Sequence, residues 1–152
     1  MSIWWSLHLR REAASVPLAR RLLLDTMETA GVDPDVSYDL SVALSEACAN
    51  AVEHGGDAVS GSASAAYRVT AYLDGEKCRI EVADSGPGFP ARRSRRTALP
   101  ARTGGLPEHG RGLGLIEQLA DHVHFRNRPG RGAVVSFDKI LKWREGALLK
   151  VS

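Results

Sequence analysis

Apolar and polar residues alternate at the start of the chain: Ile3, Trp5, Leu7 and Leu9 fall on one side, Trp4, Ser6 and His8 on the other. That is the period of a half-buried strand. The period then lengthens. Leu18, Ala19, Leu22, Leu23, Met27 and Ala30 make a stripe at helical spacing, with Ser15 placed to cap the helix and Gly31 to stop it. Asp33-Pro34 opens a second helix, a capping carboxylate followed by proline in the first turn, and the pattern runs to His54 before Gly55-Gly56. Residues 57–66 are small and polar and read as a loop. Strands are predicted over 67–74 and 77–84, joined by the hairpin signal Asp74-Gly75. In the second of them Cys78, Ile80, Val82 and Asp84 share one face and Lys77, Arg79 and Glu81 the other. One wet face and one buried face imply an antiparallel sheet with helices on one side only. Residues 85–112 show neither period, and a loop of that length in a small domain is functional or disordered. A short helix is expected after Gly112 to about Asp121, then strands over 122–128 and 132–140 turning at Pro129-Gly130. The predicted order β-α-α-ββ-loop-α-ββ is an α+β two-layer sandwich with a mostly antiparallel sheet.

Composition narrows the class without changing this picture. A chain of 152 residues is one domain, placed here at 1–140, with a tail over 141–152 that carries no signal. The 20 Lys+Arg against 18 Asp+Glu leave a net charge of only +2, which does not point to nucleic acid. No apolar run approaches the ~20 residues that span a bilayer, and the N-terminus lacks the basic and apolar regions of a signal peptide. A cytoplasmic protein is expected, with Cys48 and Cys78 as two buried, reduced thiols, since they have no metal-binding spacing.

Three segments carry candidate chemistry. Glu46, Asn50 and His54 are four apart on the second helix and form a stripe beside the apolar face of Leu40, Leu44, Ala47 and Ala51. A carboxylate and a carboxamide would then stand at the edge of the core; a solvated polar face is the other reading. Asp84-Ser85-Gly86-Pro87-Gly88-Phe89 puts a carboxylate at the inward end of a strand, where it needs a partner. A base amino group can be that partner, with Gly86 and Gly88 letting the backbone approach a ligand; a plain strand-ending turn is the alternative. Gly110-Arg111-Gly112-Leu113-Gly114-Leu115 precedes the short helix, where glycine spacing suits phosphate binding by free N–H groups. A hinge would look the same, and with no strand before it the dinucleotide fingerprint of Rossmann folds does not fit.

Taken in order, the three segments resemble the GHKL ATPase superfamily, whose Bergerat fold holds ATP between an antiparallel sheet and its helices. The resemblance spans about residues 3–140 and is closest to the bacterial anti-sigma factor serine kinases. It implies that Asn50 holds Mg²⁺, that Glu46 is the general base for a protein serine, and that Asp84 accepts from the adenine amino group, with Gly86 and Gly88 shaping the pocket. Gly110, Arg111, Gly112, Leu113 and Gly114 would bind the phosphates, and residues 89–109 would be the ATP lid. His54 fits the pattern without a clear role. The basic stretch from Arg92 to Arg111 would meet phosphates or an acidic partner, or be plain solvated charge; without interleaved aromatics it does not suggest nucleic acid.

The resemblance implies a regulator that sequesters a sigma factor and phosphorylates a serine of a STAS-type antagonist, with a homodimer as its assembly. Trp4 on the outer side of the first strand can mark a pairing edge, or be covered by the C-terminal tail. Arg20 and Arg21 on the first helix are candidate partner contacts. A module that binds nucleotide and sequesters a partner without kinase activity is the competing function.

Overall fold

The computed structural model describes residues 2–54, 66–84, 106–128 and 132–145; of residues 54, 106–112 and 127–128 it describes the backbone course alone. The elements are β1 (Ile3–Arg10), α1 (Ser15–Ala30), α2 (Pro34–His54), β2 (Ala66–Leu73), β3 (Lys77–Asp84), α3 (Leu106–Leu119), β4 (His122–Arg128) and β5 (Gly132–Ile140). They form the expected α+β sandwich. The five strands make one sheet in the order β1-β2-β3-β5-β4, with every pairing antiparallel.

The inward rows are apolar. Val69, Ala71 and Leu73 of β2, Cys78, Ile80 and Val82 of β3, and Val135 and Phe137 of β5 are buried with Ala19, Leu23 and Met27 of α1 and Leu40, Leu44 and Ala47 of α2. Ile116 of α3 closes the same core, with Leu113 and Leu119 packed against it. The outward rows are mostly exposed, apart from Val134 and Ser136 of β5, which are buried. Register aligns Trp4, Tyr72, Arg79, Asp138 and His122 in one rank across all five strands on the uncovered face.

Helix α1 has the expected bounds but not the expected cap. Ala14 occupies the N-cap position without a side-chain bond. Ser15 is the first helical residue and is buried, because its Oγ–H donates back to the Glu12 carbonyl (2.7 Å) and meets the Tyr67 hydroxyl (2.6 Å). Leu18 is 59% exposed. It lies about 100° round the helix from Ala19, outside the arc set by Ser15, Ala19, Leu23 and Met27. Gly31 ends the helix as expected, at φ 93°, with its N–H reaching the Met27 and Glu28 carbonyls.

Two further expectations need correction. Helix α3 begins at Leu106, not after Gly112. Pro107 and Glu108 supply a proline and an acid for its first turn, start signals that outweigh the glycines. The tail after Ile140 is informative as far as Arg144. Leu141 is buried, Val32 bridges Trp143, and the Asp33 and Arg144 N–H groups bond to Lys142 (2.7 Å) and Gly31 (2.7 Å) carbonyls. Of the loop expected at 57–66, residues 57–65 lie outside the described residues and Ala66 already belongs to β2; the turn at Pro129-Gly130 and the lid over 89–105 also lie outside them, and residues 106–109 belong to α3.

Candidate functional site

Helix α2 is held by its apolar side: Val36, Leu40, Ala43, Leu44, Ala47 and Ala51 are buried at helical spacing. Asp33 Oδ1 accepts the Asp35 N–H (2.8 Å) at its start. At its end Arg11 Nη1–H donates to the Val52 carbonyl (2.8 Å), a cation at the negative pole of the helix. Glu46 and Asn50 are half-buried, at the border of the packed side. His54 is the last residue of α2, and its side chain lies outside the description.

Asp84 ends β3 and is buried, 8% exposed. Its Oδ1 accepts the Ala133 N–H (3.3 Å) from the start of β5. A small cavity lies between α2 and the sheet, lined by Asn50, Asp84, Phe125 and Ala133 among others. Its volume is about 30 Å³, room for a water or for an exocyclic amino group rather than for a nucleotide. So the structure brings Asn50 and Asp84 to one hollow, although they are far apart in sequence. Glu46, one turn before Asn50, is not among the residues that line it.

The donor set fits the groups that the sequence suggests. The Asp84 carboxylate, which lines the hollow, is an acceptor suited to a base amino group. The Asn50 carbonyl oxygen is a hard ligand of the type Mg²⁺ takes singly, beside water and phosphate. Among the described residues no group of three or more His, Cys, Asp or Glu could hold a metal by itself, so the protein's share of a metal site would be small. Gly86 and Gly88 lie outside the described residues. Gly110, Arg111, Gly112, Leu113 and Gly114 are inside α3 rather than ahead of it. A Cβ added at Gly114 would meet nothing within 4 Å. Packing therefore does not require that glycine, which costs its helix about 1 kcal/mol relative to alanine.

Sequence reasoning missed a second glycine. Gly132 has φ +114°, and a Cβ there would overlap the Asp84 carbonyl oxygen and come within 3.2 Å of Asp84 Oδ1. Only glycine lets β5 press onto the end of β3 and present the Ala133 N–H to the carboxylate. The signal was present in Gly130-Arg131-Gly132, but it reads as part of a turn.

Residues 9–139 match the family of histidine kinase-like ATPase domains. The chain belongs to that family. Among its relatives, the serine-protein kinase RsbW of Bacillus licheniformis is 32% identical over 130 residues, covering 83% of this chain and 78% of that protein. RsbW of Bacillus pumilus is 36% identical over 110 residues, covering 68% and 64%. The anti-sigma F factor of Thermoanaerobacter sp. strain X514 is 28% identical over 116 residues, covering 74% and 77%. A crystal structure of the RsbU and RsbW domains of Rv1364c from Mycobacterium tuberculosis superposes with a TM-score of 0.67 at 20% identity. The match takes in 93% of this chain and 33% of that one, so this ATPase-type domain spans a third of that longer protein and shares its fold there.

Proposed function

We propose that this chain is an ATP-binding anti-sigma regulatory factor that sequesters a sigma factor and phosphorylates a serine of a STAS-type antagonist in the cytoplasm. The observation that carries the reading is the shared hollow, with Asn50 on one side and Asp84, held by the Ala133 N–H, on the other. Kinship with proteins named serine-protein kinase and anti-sigma F factor gives the reaction class.

In this reading Asp84 accepts from the adenine amino group, and Gly86 and Gly88 let the chain pass close to the base. Asn50 holds Mg²⁺, which neutralises charge on the phosphates. Gly110, Arg111, Gly112, Leu113 and Gly114 line the phosphate side from within α3, by close approach at the open space of Gly114 rather than by the free N–H groups of a helix start, which fall at residues 106–109. Glu46 takes the proton of the attacking serine hydroxyl. No helix among the described residues is long and apolar enough to cross a membrane.

The chain works as a homodimer, joined through the uncovered sheet face. Trp4 is 65% exposed there, Ile140 64% and Tyr72 40%. Five strands of about eight residues make a face of about 600 Å², close to the ~800 Å² that each partner buries in a standard interface.

The test is transfer of phosphate from labelled ATP to a STAS-type antagonist, wild type beside Glu46→Ala. Loss of transfer with retained ATP binding supports the kinase. The competing module without kinase activity has one observation in its favour, that Glu46 does not line the hollow with Asn50 and Asp84. It predicts no transfer from wild type and undiminished sigma-factor capture by Glu46→Ala.

A further inference from the structure

The hollow shared by Asn50 and Asp84 is too small for a base, and the exposure of its lining shows where a base would lie. Ala47, Ala51, Val82, Ala133 and Val135 line it, and each is 7% exposed or less. Asp84 is buried as well. Two lining residues keep open surface: Asn50 of α2, which is half-buried, and Phe125 of β4, which is 40% exposed. The hollow therefore opens between a carboxamide and an aromatic ring.

Phe125 owes this position to a strand edge. Register sets it in one rank with Leu7, Val69, Val82 and Val135, on the face that the helices cover. Val69, Val82 and Val135 are buried, whereas β4 is the last strand of the sheet and its member of the rank stays open. A partly exposed ring beside a buried carboxylate suits a flat ligand group that carries a hydrogen-bond donor. The space of about 30 Å³ admits an exocyclic amino group to Asp84 and leaves the ring system that bears it at the mouth, between Asn50 and Phe125. We infer that Phe125 is a base-binding residue: its ring packs against the ring system of the nucleotide and decides which class of base the site takes. This rests on the nucleotide reading above. Asp84 by itself accepts from any base with an exocyclic amino group, cytosine as well as adenine. Stacking strengthens with the area of the ring, so an aromatic wall favours the purine. Asn50, on the opposite side of the mouth, is left for the metal and phosphates.

The test separates a base contact from a metal contact and from general loosening. ATP affinity is measured by calorimetry with Mg²⁺ and again in EDTA, and CTP affinity by displacement of ATP, for wild type, Phe125→Leu and Phe125→Tyr. Phe125→Leu stays apolar but loses the ring. It should bind ATP about tenfold more weakly, by the same factor with and without Mg²⁺, and its preference for ATP over CTP should narrow about threefold. Phe125→Tyr keeps the ring and should stay within about threefold of wild type on every measure. Loosening of the fold would weaken ATP and CTP alike and lower the melting temperature, leaving the preference where it was. Undiminished ATP affinity in Phe125→Leu overturns the inference, as does an unchanged preference for ATP over CTP or an equal loss in Phe125→Leu and Phe125→Tyr. In each of those cases wild type still binds ATP and the nucleotide reading stands. If wild type binds no ATP, that reading has failed and this inference falls with it.

Discussion

Asn50 and Asp84 meet because two different periods deliver them to one place. Helical spacing puts Asn50 at the border of the packed side of α2, and strand alternation turns Asp84 inward at the end of β3. Each is a polar group at the margin of an apolar core, the setting where an unpaired group is most costly and a ligand partner most effective. Asn50→Ala should therefore lose the part of ATP affinity that depends on Mg²⁺ while keeping its melting temperature within a few degrees, as read by calorimetry and thermal unfolding. Cys48 offers a test independent of any ligand. Its thiol is fully buried and raised from 9.0 to about 12, chiefly by burial. Above pH 9 the unfolded chain releases this proton while the native state retains it, so stability falls as pH rises. The loss from Cys48 alone should reach about 2 kcal/mol by pH 10.5. Urea unfolding at pH 7.5 and 10.5 checks this, and Cys48→Ala should lessen the decline.

At the scale of elements, the hydrophobic periods found each strand and helix of the described residues, because each buries one continuous stripe or row. They were less reliable where a single contact overrides the period. Ser15 looks like a cap, but Tyr67 draws its side chain into the core. Leu18 looks like part of the α1 stripe, but Ala19 and Leu23 set the buried arc. The glycines of α3 concealed its true start at Leu106. Of the site, Asn50 and Asp84 were legible as residues. Gly132 and Ala133 were not, because their role lies in a cross-strand approach that no local pattern records. Two glycine substitutions express the difference. Gly31→Ala places a side chain at φ 93°, at the end of α1 and outside the hollow of Asn50 and Asp84, and should cost about 1–2 kcal/mol in urea unfolding without altering ATP affinity. Gly132→Ala meets the same backbone penalty and also strikes the Asp84 carbonyl. It should lower stability further and weaken ATP binding as well; equal effects from the two would mean that the approach to Asp84 has no functional weight.

The whole molecule is a one-sided sandwich: helices cover one face of the sheet, and the other carries Trp4, Tyr72 and Ile140 in the open. If that face joins two copies, light scattering should give twice the 16.4 kDa of one chain, and Trp4→Lys should return the mass to that of a monomer with unchanged secondary structure. The proposed nucleotide site lies in the layer between helices and sheet, at the hollow lined by Asn50 and Asp84. It is tested most directly by Mg·ATP calorimetry on wild type beside Asp84→Ala. Wild type should bind saturably with one nucleotide per chain, and a folded Asp84→Ala should show no detectable binding. Equal affinity in the two proteins would contradict it.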